Sequence, residues 1–201
     1  MGEQVGASGL GAARKAQRHE SREDELVRAA QGGDREAFDA LVEMHGRAVL
    51  GYLERMGGPF DAEDLAQETL LQAFRRIGTF ATGTDFRAWL LTIAYHARVH
   101  AVRRKRAVAA QDYAVLANVP APSAPAGGTG LEAAMRSGLE ALPEDQKTVV
   151  LLRFGQGLSH AEIARITETE EATVRWRLYR ARRVLQKVLK EWAPTNKGSG
   201  T

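Results

Sequence analysis

The sequence predicts an all-α protein built from two small helical domains joined by a flexible linker. Three observations carry this. Apolar residues recur at helical spacing in segment after segment. A run rich in Pro, Ala and Gly, from Asn118 to Gly130, interrupts that periodicity and has little reason to fold. Near the C-terminal end, a short helix, a three-residue turn and an arginine-rich helix follow one another as in a helix-turn-helix.

Taken in order, residues 1–20 are rich in Gly, Ala and basic residues and show no apolar period, so they read as a disordered tail. From Glu23 the pattern turns helical, with Leu26, Val27 and Ala30 on one face. Gln31-Gly32-Gly33-Asp34 stops that helix and starts the next, with Asp34 as N-cap. Phe38, Leu41, Val42, His45, Val49, Tyr52 and Leu53 then form a long apolar stripe, ended by Gly57-Gly58-Pro59. His45 lies on that stripe and reads as a core histidine with a hydrogen-bond partner.

A helix over 61–77 follows, capped by Asp61. Leu65, Thr69, Phe74 and Ile77 can face a core, and Ala62, Ala66 and Ala73 permit close approach. Asp64, Gln67, Glu68 and Leu71 are left on a mixed acidic and apolar face. Alone, that face suits solvation; it can also dock a basic partner helix with the leucine as anchor. Residues 79–85 form a loop containing Gly83. The next helix runs from about Asp85 to Arg106, with Phe86, Trp89, Leu90, Ile93 and Ala97 inward. Arg98 and Arg103-Arg104-Lys105-Arg106 make a cationic cluster, part of which complements the helix dipole. Phe80, Thr84 and Asp85, beside this basic helix, make a candidate platform for single-stranded nucleic acid.

Residues 107–130 are the expected linker. The second domain, 131–192, draws apolar faces from Leu139, Leu142, Val149, Val150, Leu152 and Phe154, with a break and a new helix start at Leu142-Pro143-Glu144-Asp145. Ser159 and Glu162 have capping-box spacing. Ile163, Ala164 and Ile166 face inward on the first helix of the motif. Val174, Leu178, Ala181 and Leu185 do so on the second, for which Thr169 is the expected N-cap. The turn lacks glycine, so Glu168 or a neighbour must take up its strain. Arg175, Arg177, Arg180, Arg182 and Arg183 fall largely off the stripe. Such a second helix can enter a DNA major groove, or can simply be a solvated face. Residues 193–201 read as a polar tail.

Composition narrows the function. The 201-residue chain is 44% hydrophobic, enough for real cores, and carries a net charge of only +3 with a pI near 9.4. Charge segregation matters more than the total. Acids gather in 61–68 and 162–171, and bases gather in 98–106 and 175–190, which suits specific docking on a polyanion. There is no cysteine, and the five histidines lack metal-ligand spacing. No metal or other cofactor is expected. No phosphate loop or activated nucleophile points to an enzyme. No apolar run approaches bilayer length, so a cytoplasmic protein without direct membrane insertion is expected.

Five segments occur together and in order: GDREAFDALVEMHGRAV, DAEDLAQETLLQAFRRIGTF, FRAWLLTIAYHARVHAVRRKR, ALPEDQKTVVLLRFGQGLSHAEIA and ATVRWRLYRARRVL. With the linker between them, they make the chain resemble an extracytoplasmic-function (ECF) sigma factor of the sigma-70 family, over about Glu23 to Leu189. The resemblance implies a region 2-like domain over 21–106 and a region 4-like domain over 131–192. It implies that Asp64, Leu65, Gln67, Glu68 and Leu71 dock on the clamp helices of the largest subunit of core RNA polymerase, whose flap is a further contact. It places Phe80, Thr84, Asp85, His96, Arg98, Arg103, Arg104 and Arg106 where the −10 promoter element is opened and a flipped base is held. It places Thr173, Arg175, Trp176, Arg177, Tyr179 and Arg180 on the helix that reads the −35 element. An anti-sigma factor is an implied partner. His96 stands where many relatives carry Asn, and Trp176 where a small polar residue is usual. Ala172 stands where Gly is frequent. The alternative is a free-standing helix-turn-helix regulator that binds duplex DNA as a dimer.

Overall fold

In the computed structural model, residues 22–58, 60–111 and 130–192 are described. The 1–20 tail, most of the linker and the 193–201 tail lie outside them. Helix α1 covers 22–31. It is followed by α2 (Arg35–Met56), α3 (Ala62–Arg76), a 3₁₀ turn (Ile77–Thr79) and α4 (Phe86–Gln111). The second segment holds α5 (Gly130–Glu140), α6 (Glu144–Val150), a π turn (Leu151–Gly155), α7 (His160–Ile166) and α8 (Glu171–Trp192).

The helix starts follow the sequence. The Asp34 carboxylate accepts from the Ala37 N–H at 3.1 Å. That of Asp61 accepts from the Glu63 and Asp64 N–H groups at 2.8 and 3.3 Å. Each satisfies a donor that the first turn leaves without a partner. At Ser159 both bonds of the capping box form: its hydroxyl accepts from the Glu162 N–H at 3.2 Å, and the Glu162 carboxylate accepts from the Ser159 N–H at 2.7 Å.

Helices α2, α3 and α4 pack on one another, with Leu41, Tyr52, Phe86, Leu90 and Leu91 fully enclosed. The His45 Nε2–H donates to the Glu23 carboxylate at 3.1 Å, which fastens α1 to α2. In the second segment, α8 lies against α5, α6 and α7, with Val174 and Ala181 at the seam.

Four expectations are corrected. Helix α4 continues five residues past Arg106, to Gln111, because Ala107, Ala109 and Ala110 favour helix over coil. Phe154 is 76% exposed, because the π turn adds a residue to the helical register and rotates that side chain outward. Phe74 is also exposed, lying edge-on to Phe38 at the surface rather than within the core. Thr169 does not cap α8, which begins at Glu171; its hydroxyl lies 2.9 Å from that of Thr167. The glycine-free turn is strained as expected, and Glu168 carries it at φ +52°.

The two segments are not held apart by solvent. One apolar cluster runs from Val27 and Tyr52 through Leu152 and Ile163 to Val174. Helix α2 meets α6 and the π turn, and α4 meets α7. Polar groups cross the same boundary. The Gln156 amide donates to the Ala48 carbonyl at 3.3 Å, and the Thr148 hydroxyl points at the Met56 sulfur at 3.8 Å.

Candidate functional site

Three surfaces hold the residues singled out in the sequence. The first is the outer face of α3. Helical register brings Asp64, Gln67, Glu68 and Leu71 together at the surface, with Leu71 52% exposed. The Gln72 amide donates to Glu68 at 3.1 Å and steadies its carboxylate. Leu65 is not with them. It turns inward beside Ala66 and Thr69, one helical face away, and belongs to the core. The result is an exposed leucine flanked by acids, able to receive an apolar and basic helix.

The second surface is the loop after α3 together with α4. Phe80 is only 5% exposed. Its ring stands 5.2 Å from Phe86 and 5.3 Å from Trp89, so it closes the core and offers no face for stacking here. Thr84 and Asp85 are exposed but already occupied. The Thr84 hydroxyl donates to the Ala81 carbonyl at 2.7 Å, and the Asp85 carboxylate accepts from the Ala88 N–H at 2.9 Å, which caps α4. Arg103 and Arg104 are exposed. The side chain of Arg106 lies outside the described residues.

Arg98 and His96 are turned toward the second segment. Arg98 is 6% exposed, donates to the Gly57 carbonyl at 3.3 Å and pairs with Glu144 at the start of α6. Its register explains this: Leu91, Ala94, Arg98 and Ala101 share the buried stripe of α4. That spacing was readable in the sequence, where Arg98 counted only as a cation. His96 Nε2 lies 3.5 Å from Glu168 in the strained turn. Burial beside Arg98 has two further effects. It holds the Lys147 ammonium below its ordinary pKa, desolvation first and the guanidinium second. It also pushes the Tyr52 phenol up, again by desolvation. The Tyr52 hydroxyl and the Arg98 Nε make no hydrogen bond of good geometry.

The third surface is the first half of α8. Arg175, Trp176, Tyr179 and Arg180 point outward, and the Arg180 guanidinium lies 5.5 Å from the Trp176 ring centre. Trp176 therefore does not turn inward; it is 55% exposed. Thr173 is half-buried. Arg177 is set apart from this face. Its Nε pairs with Asp145 on α6 at 3.0 Å, so it holds α8 in place. Arg175 lies 3.4 Å from Glu171, one turn back.

The contacts that sequence reasoning did not foresee are those that join distant segments, made by Glu144, Gln156 and Tyr52, and on α1 by Asp24 and Gln31. Helical periodicity reports which face is buried, not which neighbour covers it. Among the described residues no group of three or more His, Cys, Asp or Glu gathers as a metal site. No described helix is long and apolar enough to cross a membrane.

Comparison with known proteins identifies the family. The sigma-70 region 2 model matches residues 41–108, and the sigma-70 region 4 model matches 133–185. The chain is 33% identical to the RNA polymerase sigma-H factor of Pseudomonas aeruginosa, over 85% of this chain and 95% of that one. It is 34% identical to the ECF RNA polymerase sigma-E factor of Haemophilus influenzae, over 80% and 92%. Its fold is similar to that of the sigma factor RpoE from Bartonella quintana, solved in complex with the anti-sigma factor NepR. The TM-score is 0.64 and the identity 28%, over 76% of this chain and 96% of that one. With both regions matched in order and the relatives covered nearly end to end, this chain belongs to the sigma-70 family of RNA polymerase sigma factors, in its ECF group.

Proposed function

We propose that the chain acts in the cytoplasm as a promoter-specificity subunit, without enzymatic activity of its own, through three separate contacts. The α3 face of Asp64, Gln67, Glu68 and Leu71 docks on the clamp helices of core polymerase, and the second domain reaches the flap. The loop 80–85 and the cationic side of α4, with His96, Arg98, Arg103 and Arg104, meet the opened −10 strand. Thr173, Arg175, Trp176, Tyr179 and Arg180 meet the −35 duplex, where arginines suit guanine edges and phosphates. The two domains, expected over 21–106 and 131–192, are extended by the last residues of α4 and the first of α5, so that 112–129 join them.

One observation carries the reading. The docking face on α3 is open to solvent, while Arg98 is buried against Glu144 at the start of α6 and His96, still partly exposed, stands beside Glu168 in the turn after α7. Polymerase can therefore engage first. Contact of Arg98 with DNA requires the second domain to move off α4. That separation returns Tyr52 and Arg98 atoms without partners to water, which offsets part of the lost apolar contact. An anti-sigma factor, of the kind bound to the Bartonella relative, is the partner class expected to hold the closed arrangement. The dimeric-regulator alternative is not favoured, since it gives the region 2 segment no role.

Run-off transcription with purified core polymerase across a genomic promoter library tests this directly. The chain should associate with core enzyme and start transcription from a defined set of promoters. Glu68→Arg should lose core association while still binding isolated −35 duplex. A chain that neither associates with core nor initiates would overturn the reading.

A further inference from the structure

The loop Ala81–Asp85 is exposed along its whole length and contains Gly83 at φ +84°. A short exposed stretch of Ala, Thr, Gly and Asp has no large apolar side chain to anchor it, so its order depends on hydrogen bonds. It is bracketed from one side by α1, some fifty residues earlier. The Gln31 amide uses both of its hydrogens there, donating to the Ile77 carbonyl at 3.1 Å and the Phe80 carbonyl at 2.8 Å. Its oxygen faces the Thr82 hydroxyl at 3.5 Å. The Asp24 carboxylate accepts from the Gly83 N–H at 3.0 Å.

Asp24 and Gln31 are two helical turns apart, so they lie on one face of α1. That helix is itself tied down by the Glu23–His45 pair. It precedes residues 41–108, which carry the region 2 match.

We propose that Gln31 and Asp24 are positioning residues for promoter opening: they hold the 80–85 loop in the shape that captures the exposed −10 strand, without touching DNA. This rests on the reading that the loop meets that strand. Pre-forming the loop removes an ordering cost that would otherwise fall on DNA capture. Gln31 is suited to the task because one rigid amide reaches two carbonyls at once. A carboxylate of the same shape would present acceptors to acceptors.

The test uses the full chain with core polymerase, on a promoter recovered from the library. 2-Aminopurine at the melted base reports opening. Asp24→Ala should weaken opening about tenfold, the scale of one lost hydrogen bond, and Gln31→Glu by more, because it loses two and sets a carboxylate against two carbonyls. Core association and −35 duplex binding should stay near those of the parent chain, and the thermal midpoint should fall only modestly. Asp24→Asn should restore opening, because its amide oxygen still accepts from Gly83. Opening unchanged in both variants, or no rescue by asparagine, would overturn the proposal. So would a parallel fall in −35 binding, which would mark a general folding role. A parent chain that binds core but opens no promoter would instead refute the loop reading on which the proposal stands.

Discussion

His96 Nε2 lies 3.5 Å from Oε1 of Glu168, so the α4 residue proposed to meet the −10 strand faces the turn of the helix-turn-helix. Glu168 is also the only non-glycine residue with positive φ among the described residues. Strain and inter-domain contact thus fall on one side chain, and the two can be separated by substitution.

Glu168→Gly should stabilise the protein by roughly 0.5–1 kcal/mol in urea denaturation. At φ +52° the Cβ of glutamate costs on the order of 1 kcal/mol, which glycine avoids. The lost pair contributes little, since the carboxylate is largely exposed. A lower midpoint would show that the His96 contact outweighs the strain.

Glu144→Ala should destabilise by about 1–3 kcal/mol. It strands the Arg98 guanidinium in a buried site. The cost falls below that of a fully enclosed pair because Glu144 is half-exposed. The apolar cluster is shared across both segments, so the parent chain should unfold in one calorimetric transition. Two resolved transitions would show that the domains do not share a core in solution.

The capping box at Ser159 sets an acid-side pH dependence. Hydrogen bonds from Ser159 hold the Glu162 carboxyl below the usual glutamate range. A lowered folded pKa contributes stability above the unfolded value, about 4.3, and loses it as the pH falls through the folded one. Glu162→Gln keeps an acceptor for the Ser159 N–H but cannot titrate. Its thermal midpoint should vary less with pH below about 4 than that of the parent. Ser159→Ala should cost about 1 kcal/mol at neutral pH.

The arginines of α8 should divide into two groups. Arg175→Ala and Arg180→Ala should weaken −35 duplex binding by about 1–3 kcal/mol in fluorescence anisotropy, with little change in stability. Arg177→Ala should instead lower the melting temperature, because it releases the tie to Asp145. Equal effects of all three on DNA binding would contradict the division.

Sequence alone determined which residues make helices and which of their faces are apolar. Helical periodicity and caps are local, and Asp34, Asp61 and Ser159 cap where their spacing says they should. The exposed acids of α3 and the outward arginines of α8 were legible for the same reason. Tertiary structure decided which face meets which neighbour. It drew Phe80 into the core, set Arg98 against Glu144 and His96 against Glu168, and turned Arg177 to Asp145. Those pairings join residues 32 to 72 positions apart in the chain. Their energies depend on burial and on the partner's placement, and a local pattern of residue types encodes neither.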